Sequence, residues 1–91
     1  MEIQEEINEG EGTFFIETNG KRTARLTFSL LPDRLIIEHT IVGRELEGKG
    51  IGKQLVDHAV GFARNKKIKI VPLCSFAKSV FERFDGYDDV L

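Results

Sequence analysis

The hydrophobic pattern of this chain changes period once, and the change is marked by glycine. Before Val42, apolar residues recur at every second position. From Ile51 onward they recur at helical spacing. The stretch from Gly43 to Gly52 holds four of the nine glycines. A segment so poor in Cβ atoms cannot form a regular strand. The chain is therefore expected to build a sheet first, then turn sharply, and then cover that sheet with helices.

The first half reads as a meander. Met1 to Asn8 is a candidate edge strand. Gly10-Glu-Gly12 reads as a turn, and Thr13 to Thr18, rich in Phe and Ile, as a strand. Asn19-Gly20 is a strong two-residue hairpin signal, because both positions tolerate positive φ. Beyond it Ala24, Leu26, Phe28 and Leu30 alternate with Thr23, Arg25, Thr27 and Ser29, which predicts a half-buried strand. Pro32-Asp33 supplies a turn. Arg34 to Val42 has apolar residues on both faces and is expected to be a central strand, largely covered.

The second half is helical. Ile51, Leu55, Ala59, Phe62 and Ala63 form one stripe, with Val56 and Val60 beside it. That helix should stop near Asn65, with Arg64, Lys66 and Lys67 placed favourably for its C-terminal dipole. Ile68 to Val71 reads as a short strand ended by Pro72. A second helix is expected from Ser75 to Phe84, capped by Ser75, with Phe76, Val80, Phe81 and Phe84 on one side. The last seven residues are expected to dock as an extension. A strand that follows a crossover helix lies parallel to the strand before it. The fold class is thus α/β (α+β): a mixed, mainly antiparallel sheet with a β-α-β-α C-terminal half, one domain over residues 1–91.

Composition narrows the function. The 91 residues carry a net charge of -2, which offers no basic face to nucleic acid. The single cysteine excludes an internal disulfide. No apolar run reaches the roughly 18 residues of a membrane span, and the acidic N-terminus does not resemble a signal peptide. A cytoplasmic protein is the expectation. His39, His58 and Cys74 lack structural-zinc spacing, so no metal is expected. His58 is expected mid-helix and exposed. An open sheet edge suggests a monomer or a weak homodimer.

The loop Arg44-Glu-Leu-Glu-Gly48-Lys-Gly50-Ile-Gly52-Lys53 opens a helix. The first N–H groups of a helix lack internal partners and sit at its positive dipole end, so an anion fits there. A tight turn whose glycines serve only conformation is the plain alternative. A P-loop needs a hydroxyl residue directly after Gly-Lys, and Gly50 stands there. A dinucleotide fingerprint needs a third glycine where Lys53 stands.

These residues resemble the GNAT superfamily of acetyl-coenzyme A-dependent N-acetyltransferases. That family's signature runs Gln or Arg, two residues, Gly, one residue, then Gly or Ala, at the start of a long helix. Gly50 and Gly52 occupy the small positions; Glu47 departs from the usual Gln or Arg. The likeness runs from about Phe28 to the C-terminus, through Pro72-Leu-Cys74-Ser75-Phe76-Ala77 and Phe81-Glu-Arg-Phe-Asp-Gly-Tyr87. It is nearest to the minimal, single-domain members. Larger members place helices after the first strand and shape the acceptor site with them. Here the span from Asn8 to Thr13 has no room for one, so the acceptor side is expected to be open.

The resemblance implies a truncated GNAT-like fold that acetylates an amine acceptor with acetyl-coenzyme A as co-substrate. Glu47, Gly48, Lys49, Gly50, Ile51, Gly52 and Lys53 would hold the pyrophosphate, with Ile41 and Val42 pairing their backbone with the pantetheine arm. Lys49 and Lys53 are otherwise solvated surface. Cys74, near a helix N-terminus where thiolate is favoured, is either a nucleophile or a small core hydrophobe. Ser75 is a cap or a hydrogen-bond partner for sulfur. His39 is expected to share a face with Leu35, Ile37 and Ile41, either as a core residue or as a base; Glu38, on the opposite face, is the competing base. Arg64, Lys66, Lys67 and Lys69 read mainly as a solvated helix end. A binding module that holds coenzyme A or an acyl-coenzyme A without turnover is the second reading, and an interaction domain the third.

Overall fold

The computed structural model describes residues 2–91. Five strands follow in order: β1 (Gln4–Asn8), β2 (Glu11–Thr18), β3 (Lys21–Leu30), β4 (Arg34–Val42) and β5 (Lys69–Pro72). Helix α1 (Ile51–Lys66) joins β4 to β5, and α2 (Ser75–Arg83) follows β5. The sheet order is β1-β2-β3-β4-β5. The first three pairings are antiparallel, and β4 with β5 is parallel. The mixed α/β architecture and the meander read from the sequence are both present. Met1, placed by sequence in the first strand, lies outside the described residues.

The local chemistry explains most of the elements. Asn19 and Gly20 have φ of 51° and 79°, the paired positive values of a tight hairpin turn. The turn before β2 is made by Glu9 and Gly10, and Gly12 lies inside β2. The expected turn over Gly10 to Gly12 is therefore shorter. Gly12 has a packing reason instead: a Cβ there would sit 2.5 Å from the Phe28 ring. Helix α1 ends on Lys67 in the left-handed conformation, φ 59°, as helices often do.

One core cluster is filled from β2, β3, the first half of β4, both helices and the tail. Phe14, Leu26, Leu35, Ile37, Leu55, Val56, Ala59, Ala63 and Ala77 are completely buried. The α1 stripe is as read from the sequence, except that Phe62 is only half-buried; its ring stacks 5.4 Å from Phe14. The α2 face differs from expectation. Ala77 and Val80 are its buried residues, whereas Phe76 and Phe84 remain exposed. Ser75 is the first helical residue, and Cys74 is the capping position, without a side-chain cap bond. His58 is half-buried rather than exposed. It bonds Glu5 at 2.7 Å and packs edge-on against Phe14, clipping β1 to α1.

Strand β4 departs from simple alternation. Phe28 pairs with Ile37 and Thr27 with His39, so Glu38 is an extra residue in a β-bulge. Directly opposed residues of antiparallel strands share a face. Leu35 and Ile37 face the core, opposite Leu30 and Phe28. After the bulge, Thr40 and Val42 face it instead, opposite Leu26 and Ala24. His39 and Ile41 are turned to the far face, where both are exposed. The expectation that His39 and Ile41 share a face with Leu35 and Ile37 is thus overturned by one inserted residue. The far face also lacks the covering expected for a central strand.

The tail docks against β5. The Ile70 N–H donates to the Val90 carbonyl at 2.6 Å. Arg64 grips both Asp89 carboxylate oxygens, at 2.8 and 2.9 Å, and Lys69 donates to the Asp89 carbonyl. The Arg64 hydrogen bond holds the Asp89 carboxyl below its ordinary pKa. The basic run after α1 is thus a clamp as well as a solvated end. Val90, 1% exposed, should make the tail part of the cooperative fold. Val90→Ala is expected to cost about 2 kcal/mol in urea unfolding, from two lost methyls and the cavity left behind. A loss below about 0.5 kcal/mol would mean that the tail contributes no core.

Candidate functional site

Parallel pairing of β4 with β5 stops at Ile37 and Pro72. Beyond that point β4 continues to Val42, while the other chain turns away into α2. The Leu73 and Cys74 N–H groups both donate to the Ile37 carbonyl, at 3.0 and 3.2 Å, and close the fork. The edge of β4 from Thr40 to Val42 therefore faces the start of α2 with no strand beside it.

Cys74 sits in the fork. Its Sγ lies 3.6 Å from Thr40 Oγ1. This contact exists because the bulge turned Thr40 toward the helices. Burial pushes the Cys74 thiol up. The Ala77 N–H, the Thr40 hydroxyl and the Phe76 N–H outweigh that push and leave the thiol below its ordinary pKa. Two of these donors are at the first turn of α2, where backbone N–H groups lack helical partners. Ser75 is exposed beside it.

The glycine loop follows β4 directly. Arg44–Leu46 forms one 3-10 turn, with Leu46 buried. Gly48 and Gly50 then have φ of 77° and 72°, a conformation costly for residues with a Cβ. Gln54 is the first α1 amide to bond backward, to the Gly50 carbonyl at 3.1 Å. The Ile51, Gly52 and Lys53 amides precede it and lack intrahelical partners. Gly52 has another role: a Cβ there would lie 2.6 Å from the Phe76 ring. The missing side chain lets α2 lean on α1.

Between loop and helix runs a cleft of about 360 Å³. Val42, Glu47, Gly48, Gly50, Ile51, Gly52 and Lys53 form one wall. Phe76, Ser79, Val80, Arg83 and Phe84 form the other. The Lys53 ammonium is held by Asp57 at 2.9 Å and lies 4.8 Å over the Phe84 ring. Asp57 raises the Lys53 pKa, chiefly through that hydrogen bond. Asp57 also accepts from the Tyr87 hydroxyl at 2.6 Å. Burial and then Asp57 hold the Tyr87 phenol above its ordinary value.

The structure thus brings Glu47, Gly48, Gly50, Ile51, Gly52, Lys53 and Val42 onto one cleft. Lys49 is exposed on the loop outside that lining, and His39 is turned away from the thiol's neighbour Thr40. Glu38 accepts from the Ser29 hydroxyl at 2.8 Å on the far face. Thr40 and the α2 wall escaped the sequence reading. Strict alternation pointed Thr40 outward, and the aromatic spacing in α2 resembled a core stripe. Among the described residues no cluster of His, Cys, Asp and Glu is arranged to hold a metal, and no helix is long and apolar enough to cross a membrane.

Comparison with other proteins agrees with this fold. The sequence family described as GCN5-related N-acetyl-transferase matches residues 13–90. A GCN5-like protein from Staphylococcus aureus, solved by NMR, superposes with a TM-score of 0.74 at 36% identity; the match covers 98% of this chain and 85% of that one. The ribosomal-protein-alanine N-acetyltransferase from Brucella melitensis gives a TM-score of 0.72 at 19% identity, over 87% of this chain. A GNAT family acetyltransferase from Elizabethkingia anophelis, with acetyl-CoA bound, gives 0.59 at 20% identity, over 69% of this chain. This chain spans 64% of the Brucella protein and 42% of the Elizabethkingia protein. No curated protein matches it.

The Thr40–Cys74 contact has a direct readout. Alkylation of Cys74 by iodoacetamide should rise with pH earlier than for a free cysteine. Thr40→Val should move that rise to higher pH, and Thr40→Ser should retain it. An unchanged profile in Thr40→Val would remove the hydroxyl from the account of the thiol.

Proposed function

The chain belongs to the GCN5-related N-acetyltransferase family, and from that premise we propose that it binds acetyl-coenzyme A and transfers the acetyl group to an amine. The observation that carries the reading is the cleft itself. It lies between the amides that open α1 and one face of α2, and it reaches Val42 at the end of β4.

The residues fit such a ligand. A phosphate suits the Gly48 to Lys53 segment, where added Cβ atoms at Gly48 and Gly50 would meet nothing but open space and amides are available. An extended pantetheine arm suits the unpaired backbone of β4 near Ile41 and Val42. Its thioester would then approach Thr40 and Cys74. Lys49 offers further positive charge from the loop, and Ser75 a hydroxyl beside the sulfur.

In the covalent route, the Cys74 thiolate attacks the thioester carbonyl. A new carbon–sulfur bond forms, the old one breaks, and coenzyme A leaves as a thiolate that takes up a proton. An amine then attacks the acetyl-cysteine, loses a proton, and regenerates the Cys74 thiolate. The amides at the start of α2 favour negative charge in this region. The bulge moves His39 and Glu38 to the far face of β4, so a role for either as base requires the acceptor to approach from that open side. In the direct route the amine attacks acetyl-coenzyme A itself, and Cys74 is a neighbour only.

A second reading is favoured by the same openness. No helix stands between β1 and β2 to frame an acceptor. The chain would then hold coenzyme A or an acyl-coenzyme A without turnover, as a sensor or a partner subunit.

Two measurements separate these readings. Calorimetry with coenzyme A should show saturable heat; none at millimolar ligand would sink both. Intact mass after incubation with acetyl-coenzyme A should show one added acetyl group, absent in Cys74→Ala. Unmodified wild type that still acetylates amines would establish direct attack, and binding without product over a broad amine panel would establish the binding module.

A further inference from the structure

The loop wall of the cleft carries a side chain of the wrong sign for a phosphate. Glu47 lines the cleft, and a carboxylate there repels a phosphate. The neighbouring cations do not offset it. Lys53 is already neutralised by Asp57 at 2.9 Å. Lys49 is exposed and outside the lining. One cation remains on the cleft wall: Arg83, in the last turn of α2.

Arg83 is placed there by helical register. Phe76, Ser79, Val80, Arg83 and Phe84 all line the cleft. The first four stand at i, i+3, i+4 and i+7, so one face of α2 forms the wall, extended by the C-cap residue Phe84. Among the described residues no carboxylate lies within ion-pair distance of Arg83. Its guanidinium rests 5.8 Å from the Phe84 ring. A cation in the last turn also suits the helix dipole. That preference would be met equally on any face, however, and does not explain a position on the cleft wall.

We propose that Arg83 supplies the unpaired side-chain cation that the cleft lining otherwise lacks, gripping the pyrophosphate of the bound nucleotide from the wall opposite Gly48 to Lys53. This rests on the reading of the cleft as a coenzyme A site. The planar guanidinium presents paired donors that match two phosphate oxygens, while the loop amides hold the other side. Glu47 then acts as a weak antagonist that limits affinity.

Calorimetry on four proteins tests the assignment: wild type, Arg83→Gln, Arg83→Lys, and Arg83→Gln combined with Glu47→Arg. Arg83→Gln should weaken coenzyme A about tenfold, the scale of one charged hydrogen-bonded contact. It should leave the affinity for S-acetylpantetheine, which has no phosphate, unchanged. Arg83→Lys should recover part of the loss. The double variant, with its cation moved to the loop wall, should recover most of it. Rising salt should weaken wild type more than Arg83→Gln. Equal coenzyme A affinity in wild type and Arg83→Gln would overturn the role of Arg83 while leaving the site intact. Equal loss for coenzyme A and S-acetylpantetheine would overturn it too, since the defect would then be steric. Absence of binding by wild type would overturn the site reading and this inference together.

Discussion

The arrangement of this protein depends on a single extra residue in β4. A strand alternates its side chains strictly, so a regular β4 would have put Thr40 and Val42 on the far face. The bulge at Glu38 reverses that alternation halfway along the strand. Its first half supplies Leu35 and Ile37 to the core. Its second half supplies Thr40 to the cysteine and Val42 to the cleft. One strand is thereby both a central core element and a wall of the site, with no change of direction in the sheet. The same inserted residue sends His39 and Ile41 to the open face.

The fork between β4 and β5 is the complementary half of the arrangement. Parallel pairing holds the two strands only from Arg34 to Ile37. The Ile37 carbonyl then takes both Leu73 and Cys74 amides, which ends the ladder and starts α2 in one step. Backbone polarity is satisfied where the strands part, so the opening is stable and not a frayed end. A thiol at that point is partly buried yet surrounded by donors. Those donors outweigh the burial that would otherwise raise its pKa.

Much of this fold was legible in the residues. The Asn19-Gly20 turn, the alternation in β3, the glycine loop and the α1 stripe each state a local preference that the tertiary structure obeys. The placement of Gly48, Gly50 and Gly52 marked where the chain must turn into a helix. The bulge was not legible. Ile36-Ile37-Glu38-His39-Thr40 contains no glycine or proline to announce an insertion, and only the pairing with Phe28 and Thr27 reveals it. The face of α2 was misread for a related reason. Phe76 and Phe84 carry core-like side chains at core-like spacing, but they border a cleft instead of filling one. Periodicity reports that a face is apolar and says nothing of what covers it. Arg83 was hidden by its location, since a basic residue at a helix end looks like an answer to the dipole.

Gly52 carries an implication for how the cleft keeps its shape. Its hydrogen stands where any other residue would press a methyl into the Phe76 ring. The spacing of α1 and α2 is therefore gauged by an absent atom group. Phe76 is at once the spacer touching α1 and part of the wall facing the cleft. Any side chain at position 52 would act as a wedge between the helices. The aperture is thus set by an apolar contact between uncharged residues of the two walls, while its charges come from other side chains.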